Sequence, residues 1–418
     1  MKKIILIIIF VNLTIYLHAV WLLIPMDDKQ NNHLKAYGIT YWALEQGLEA
    51  YWLLNYRGGS FLLPYIQELE KQCILRGVSY RIISDAEKQS IFNYIARADI
   101  NMDKVKLVKP PKIAVYAPDT YQPWDDAVML VLTYAQIPFD RIYDEEILKG
   151  DLSKYQWLHL HHEDFTGQYG KFWAAYHNAP WYKNQVDKAE SEAHKLGFEK
   201  VSKLKLAVAK IIKEYVKQGG FLFAMCSATD TYDIALAAQN TDICPPMFDG
   251  DGVDPNANKN LDYTKTLAFT NFKVILDPYV YEFSDIDVTN TRRITKEQDY
   301  FTLFDFSAKW DPIPTMLCQN HTKIIHGFMG QTTAFNKDKI KPTVLIMGEL
   351  KSKNEARYIH GTYGKGMWTF YGGHDPEDYQ HLVGDPPTNL DLYPHSPGYR
   401  LILNNVLFPA AKKKKPKT

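Results

Sequence analysis

The run Gly219-Gly220-Phe221-Leu222-Phe223-Ala224-Met225-Cys226-Ser227-Ala228-Thr229-Asp230 constrains the fold more than any other stretch of the chain. Its apolar core does not alternate with polar residues, the pattern of a strand buried on both faces, and such strands belong to parallel sheets flanked by helices. A helical pattern over 203–218 leads into it. Upstream, 112–117 reads as a strand, 124–135 as a helix, and 140–143 and 157–161 as further strands. This β-α-β order predicts an α/β fold with a mainly parallel sheet covered on both faces. Reactive groups in such sheets gather at the carboxyl ends of the strands.

Cys226 sits at one such end. At a sharp strand-to-helix turn a thiol is pushed out of the sheet, the helix N-terminus lowers its pKa, and the N–H of the next residue, Ser227, faces a developing oxyanion. Ala224 and Ala228 are small enough for that turn. The plain alternative is a small apolar residue closing a buried strand. Far downstream, Tyr363-Gly364-Lys365-Gly366-Met367-Trp368-Thr369-Phe370-Tyr371-Gly372-Gly373-His374 reads as a glycine hairpin and a short strand stopping at a histidine, with Asp375 and Glu377 just beyond. Cysteine at one strand end, with histidine and carboxylate at another, supplies the parts of a thiol-based acyl-transfer site. Cys226 is then the nucleophile, His374 the proton acceptor, and Glu377 or Asp375 the group orienting the imidazole.

A second cluster is His159-Leu160-His161-His162-Glu163-Asp164. His162, Glu163 and Asp164 fall in the loop expected after the strand. His159 and His161 share one face of a strand, so a metal held by both and a loop carboxylate is the alternative reading. Same-face histidines are common without metal, and no second ligand pair stands at a diagnostic spacing. No metal and no cofactor are therefore expected, and the chain has no nucleotide-binding glycine loop, HExxH helix or internal repeat.

Residues 20–97 alternate strand and helix signals and predict a small N-terminal α/β domain: strands over 20–25, 51–55 and 78–83, and helices over 33–47 and 65–75. Pro110-Pro111 closes an expected linker over 98–111. The amidotransferase-like domain named below is expected over 112–235 and 346–411. Between its halves, 236–345 is rich in Asp, Asn, Pro and aromatics and is expected as a β-rich insertion or lid. A lysine-rich tail, 412–418, follows.

Lys2-Lys3, the apolar run over 4–20 and the small Ala19 form the n-region, h-region and cleavage site of a signal peptide spanning 1–19. The implied location is the periplasm, with no membrane span after cleavage; an uncleaved anchor is the competing reading. A formal net charge of zero, with no basic stripe, argues against nucleic acid as a partner. Four cysteines, Cys73, Cys226, Cys244 and Cys318, leave the disulfide pairing open, and a Cys226–Cys244 bridge would consume the thiol.

The elbow at Cys226 and the strand ending in His374 resemble the class I glutamine amidotransferase-like superfamily and its relatives of the trehalose-utilisation type, over about residues 110–235 and 355–408. That resemblance implies a flavodoxin-like domain with a Cys, His and Glu triad, and it makes the loop of His162, Glu163 and Asp164 the place from which substrate is oriented or a second oxyanion donor comes. The family commonly has glycine where this chain has Ala224 and Ala228, and its His-Pro-Glu run is here one residue longer. The whole chain is similar to an exported bacterial family often labelled asparagine synthetase B, through runs such as Trp157-Leu158-His159-Leu160-His161-His162-Glu163-Asp164-Phe165-Thr166-Gly167. Neither the N-terminal cysteine glutaminase nor the Ser-Gly-Gly-x-Asp-Ser loop of asparagine synthetases is present, so that chemistry is not expected. Two functions follow: a periplasmic Cys-dependent hydrolase or transferase of a small amide or peptide, or a non-catalytic binding or assembly component of a cell-envelope or secretion complex, with an envelope protein as partner.

Overall fold

The computed structural model describes residues 20–118, 124–311, 313–380 and 382–412. The expected signal peptide, and the lysine tail beyond Lys412, lie outside the described residues.

The first sheet is antiparallel. Its strands are β1 (Val20–Ile24), β2 (Ala50–Leu54), β3 (Ser60–Pro64), β4 (Arg81–Ser84) and β5 (Asp103–Leu107), in the order β4-β1-β3-β2-β5. Strand periodicity sorts its side chains. Leu23, Leu53, Leu62 and Ile83 face the helix Asp85–Ala96 and meet its Ile91 and Ile95, while Leu22, Ile24, Trp52, Phe61 and Leu63 face the larger core. The segment 98–111 is more than a linker: β5 lies inside it, paired with β2 along its whole length.

The second sheet is mixed. It contains β6 (Ile113–Tyr116), β7 (Asp140–Ile142), β8 (Trp157–Leu160), β9 (Phe221–Met225), β10 (Tyr300–Leu303), β11 (Ile324–His326), β12 (Phe335–Asn336), β13 (Leu345–Leu350), β14 (Glu355–Tyr363) and β15 (Gly366–Tyr371). Its order is β11-β10-β13-β14-β15-β9-β8-β6-β7, with β12 beside β14. From β15 to β7 all neighbours are parallel; from β15 to β11 all are antiparallel. The helices Val201–Gln218 and Ala228–Ala237 cover one face of the parallel half.

On its other face, helices His33–Glu45, Ala127–Ala135 and Pro397–Leu407 form a layer shared by both sheets, so one apolar core runs from Leu22 and Trp52 through Val131 and Leu403 to Phe221 and Phe223. Close approach is built into this layer. A Cβ at Gly38 would stand 1.7 Å from the carbonyl oxygen of Ala135, so only glycine lets the two helices meet there.

Residues 236–345 are not β-rich. Their strands are β10, β11 and β12, of four, three and two residues, and the remainder is mostly turns and short 3-10 segments. Local competition for the backbone explains this: Asp262, Asp277 and Asp287 each accept the N–H two residues ahead, the geometry of an Asx turn rather than a strand. The segment is clamped by buried charge. Arg292 contacts Asp299 at 2.5 Å and Glu355 of β14 at 3.0 Å, and Arg357 donates to the Phe328 carbonyl at 2.6 Å. All four cysteines are buried free thiols, Cys226 and Cys244 included. No helix among the described residues is long and apolar enough to cross a membrane.

Candidate active site at the carboxyl edge of the parallel strands

Cys226 occupies the predicted elbow between β9 and the helix Ala228–Ala237. Its φ of 51° is left-handed, an uncommon conformation for a residue with a Cβ. Surrounding bonds hold it there: its N–H donates to Gly373 at 3.2 Å, and its carbonyl accepts Thr229 Oγ1 at 2.7 Å. The thiol is 4% exposed, covered by the loop that carries Gln331, whose N–H points at Sγ from 3.4 Å. The fit under this loop is tight, since a Cβ at Gly330 would stand 2.7 Å from the His374 nitrogen.

The expected lowering of the thiol pKa is reversed. Burial pushes Cys226 up to about 12; the N–H groups of Gln331 and Ser227 pull it down but do not prevail, and the carboxylates of Asp230 and Asp287 add to the rise. The first free amide of the helix is also engaged elsewhere, since the Ala228 N–H donates to the His161 carbonyl at 3.2 Å.

Beside the elbow, three imidazoles from two segments converge. His161 and His162 follow the end of β8, and His374 follows β15. Each offers a ring nitrogen, and these atoms lie within 4.8 Å of one another. The His161 ring stacks on His374 at 4.4 Å between centroids and meets His162 at the same distance, while Trp124 caps His162 edge-on at 5.4 Å. His161 and His374 are buried and His162 half-buried.

Behind them lies Asp126, which the sequence reading passed over. Its Oδ1 caps the helix Ala127–Ala135 by accepting the N–H groups of Val128 and Met129 at 2.8 and 2.9 Å. Its Oδ2 lies 3.0 Å from His161 Nδ1 and 3.3 Å from His159 Nε2. Burial alone would raise the Asp126 pKa, but the two imidazoles outweigh it and hold the carboxyl well below the carboxylate range. An ionised Asp126 places the His161 proton on Nδ1 and leaves Nε2 with its lone pair. That Nε2 is buried and has no hydrogen-bond partner among the described residues. His159 does share the face of His161, as strand alternation predicts, but it is fully buried between Trp157 and Phe223 and directs Nδ1 at the Phe223 carbonyl, 3.2 Å away.

The remaining candidate residues divide. Asp375 is fully buried and shapes its own turn, accepting the Glu377 N–H at 2.9 Å and Thr388 Oγ1 at 2.7 Å; burial raises its pKa. Burial likewise raises Glu377, against a hydrogen bond from Ser396. Ser227 lies beneath the elbow with no exposed surface. Asp164 organises the loop after His162, accepting the N–H groups of Thr166, Gln168 and Gly170 at 2.7 to 3.0 Å. Glu163 turns the other way, to Tyr143 OH at 3.1 Å and Lys205 Nζ at 3.7 Å, and burial pushes it up to about 7. Lys205, itself buried, also donates to Tyr116 OH, Tyr143 OH and Asp144 at 2.7, 2.8 and 3.0 Å.

A cavity of about 390 Å³ opens on His161 and His162, with Trp124, Asp126, Met129 and Glu163 in its wall. The edge therefore presents a largely apolar hollow with the His161 and His162 imidazoles in its wall, and the buried Cys226 thiol lies outside that wall. In chemical terms this is a place to orient a substrate and take a proton from water.

No protein-family model matches the chain, and no curated protein does. Among solved structures it is similar to two cytoplasmic proteins of Salmonella typhimurium, at 13% and 12% identity, each covering 72% of this chain and 100% of the other, with TM-scores of 0.36 and 0.34. It is also similar to a catalytic mutant of a GH42 β-galactosidase from G. stearothermophilus, at 11% identity over 64% of this chain and 28% of that one, with a TM-score of 0.26. Likenesses this loose carry no argument about the chain.

Proposed function

We propose that the chain is an exported hydrolase of a small amide, peptide or related acyl bond, working at the imidazole-lined cavity on the sheet edge. The observation that carries this reading is His161: its Nδ1 is held by a buried carboxylate, and its Nε2 is buried, unpartnered among the described residues and beside the cavity. An Asp–His pair so arranged takes a proton from water, with His162 and His374 beside it to steady the charge that develops. The amide and acyl class comes from the resemblance to amidotransferase-like domains. The order β7-β6-β8-β9-β15 of the parallel strands supports a flavodoxin-like arrangement for that half of the sheet.

Covalent catalysis by Cys226 is the second reading, favoured by the left-handed backbone at the elbow. A panel of small amides, peptides and acyl esters, assayed with His161→Ala and Cys226→Ala beside the wild type, separates the two. Loss of turnover only in His161→Ala supports water activation, and loss only in Cys226→Ala supports the thiol. No turnover across the panel by a folded wild type would reject both and favour the binding or assembly role.

A further inference from the structure

We propose that His161, His162 and His374 form a site for one divalent transition-metal ion, with zinc the best match to an all-imidazole donor set. The ion's role rests on the hydrolase reading above, with one change: His161 Nε2 would be a ligand rather than the base, and the ion would activate the water; its binding does not depend on that reading.

Three independent features point to a ligand. The donor atoms of residues 213 positions apart in sequence converge within 4.8 Å, close enough for small ring rotations to bring them onto one ion. The His161 ring is 1% exposed and keeps an unpartnered Nε2 among the described residues, an arrangement that is costly unless something occupies it. Asp126 stands behind Nδ1 at 3.0 Å and is fixed in turn by two helix amides, the carboxylate–histidine support that orients metal-binding imidazoles elsewhere. Three protein ligands, two of which, His161 and His162, line the cavity, leave a position open for water or substrate, which distinguishes a catalytic metal site from a closed structural one.

Two other clusters fit a metal less well. In the cluster of Asp126, His159 and His161 the carboxylate is already the ion-pair partner of both imidazoles, at 3.0 and 3.3 Å, and His159 is fully buried and outside the cavity wall, which leaves no open side for water or substrate. Asp242, Cys244 and Asp249 are engaged by Lys200, whose Nζ lies 3.1 Å from both carboxylates, and the Cys244 thiol donates to the Thr166 carbonyl at 3.0 Å.

The full chain, stripped with a chelator, is titrated with Zn²⁺ against a chromogenic competitor and separately with Co²⁺ under visible spectroscopy. One equivalent of ion should bind, and Co²⁺ should develop the d–d absorption of a low-symmetry site. His162→Ala and His374→Ala should each weaken binding ~100-fold or more, and Asp126→Asn roughly 10- to 100-fold. Cys226→Ala should leave affinity within about twofold, since the thiol is not a ligand. Because His374 packs under the Gly330 loop, His162→Ala on the half-exposed loop is the decisive variant, with near-ultraviolet circular dichroism to verify its fold. Substoichiometric binding by the wild type, or an affinity unchanged in His162→Ala, overturns the inference. A chain that takes up no ion yet hydrolyses substrate sinks this inference alone; one that binds the ion and hydrolyses nothing sinks the hydrolase reading alone.

Discussion

Alkylation of Cys226 is where geometry and electrostatics make the sharpest joint statement. The folded thiol is pushed up to about 12, against ~8.5 for a free cysteine. At pH 8 the thiolate fraction therefore falls from about one quarter to ~10⁻⁴, a loss of roughly 2,000-fold in the reactive species. The 4% exposure of the residue and the Gln331 loop across Sγ slow the reagent further. Iodoacetamide labelling of the native full chain across pH 7 to 10, quenched, digested and mapped by mass spectrometry, reads this directly, with the urea-unfolded chain as the reference for each cysteine. Cys226 should label at least ~10³-fold more slowly in the native chain than in the unfolded one. Its rate should climb about tenfold per pH unit without a plateau, as expected below the pKa of a single thiol. Labelling that saturates below pH 8, or a rate that drops in His374→Ala, would show an activated thiol–imidazole pair and refute this reasoning.

Glu163, raised to about 7 by burial, keeps its proton in the folded chain through a window in which the unfolded chain has released it. Wild-type stability therefore falls as pH rises from about 4.5 to 7, by something on the order of 2–3 kcal/mol from this group. Urea midpoints of Glu163→Gln should gain on wild type between pH 5 and pH 8, and a drift the other way would reject the assignment. Gly38→Ala forces a methyl against the Ala135 carbonyl and should cost about 2–3 kcal/mol, read as a lowered Tm; an unchanged Tm would mean the helix layer is looser than described. Lys205→Met strips the counter-charge from buried Asp144 and should cost roughly 3–5 kcal/mol in urea melts, whereas a neutral result would show that solvent reaches the cluster.

Much of the second sheet was legible because its central strands are short, mostly apolar runs: 112–117 and 157–161 fall within a residue or so of β6 and β8, and the apolar run before Cys226 is β9. Strand β5 was not. Its Asp103-Lys-Val-Lys-Leu107 alternates charge with apolar residues beside Pro110-Pro111, and only its partner β2 makes it a strand. The helix expected from Trp124 begins at Ala127, because Asp126 caps it. That cap was readable, but the same carboxylate facing His159 in β8 and His161 just past its end was not, since nothing local records contacts across 33 and 35 residues. His162 was a candidate for orienting substrate, but its meeting with the rings of His161 and His374 was not legible, for a related reason. Alternation paired His159 with His161, but β8 ends at Leu160, and past a strand end the period of two no longer decides where a side chain points. The reversal at Cys226 came from burial beneath the Gln331 loop, with the Asp230 and Asp287 carboxylates adding to it, and that loop belongs to a segment whose turns hide its tertiary role.

The helix layer between the sheets links the two ends of the chain. Arg400, in the last helix, donates to the carbonyls of Gly58 at 2.5 Å and Met26 at 3.3 Å, and Asn404 accepts Tyr37 OH at 2.5 Å. The helix layer over the first sheet is thus complete only once residues 397–407 have docked. A truncation that removes that helix would leave part of the apolar face of β1, β2 and β3 uncovered, and the first hundred residues, far from the cut in sequence, would become the aggregation-prone part.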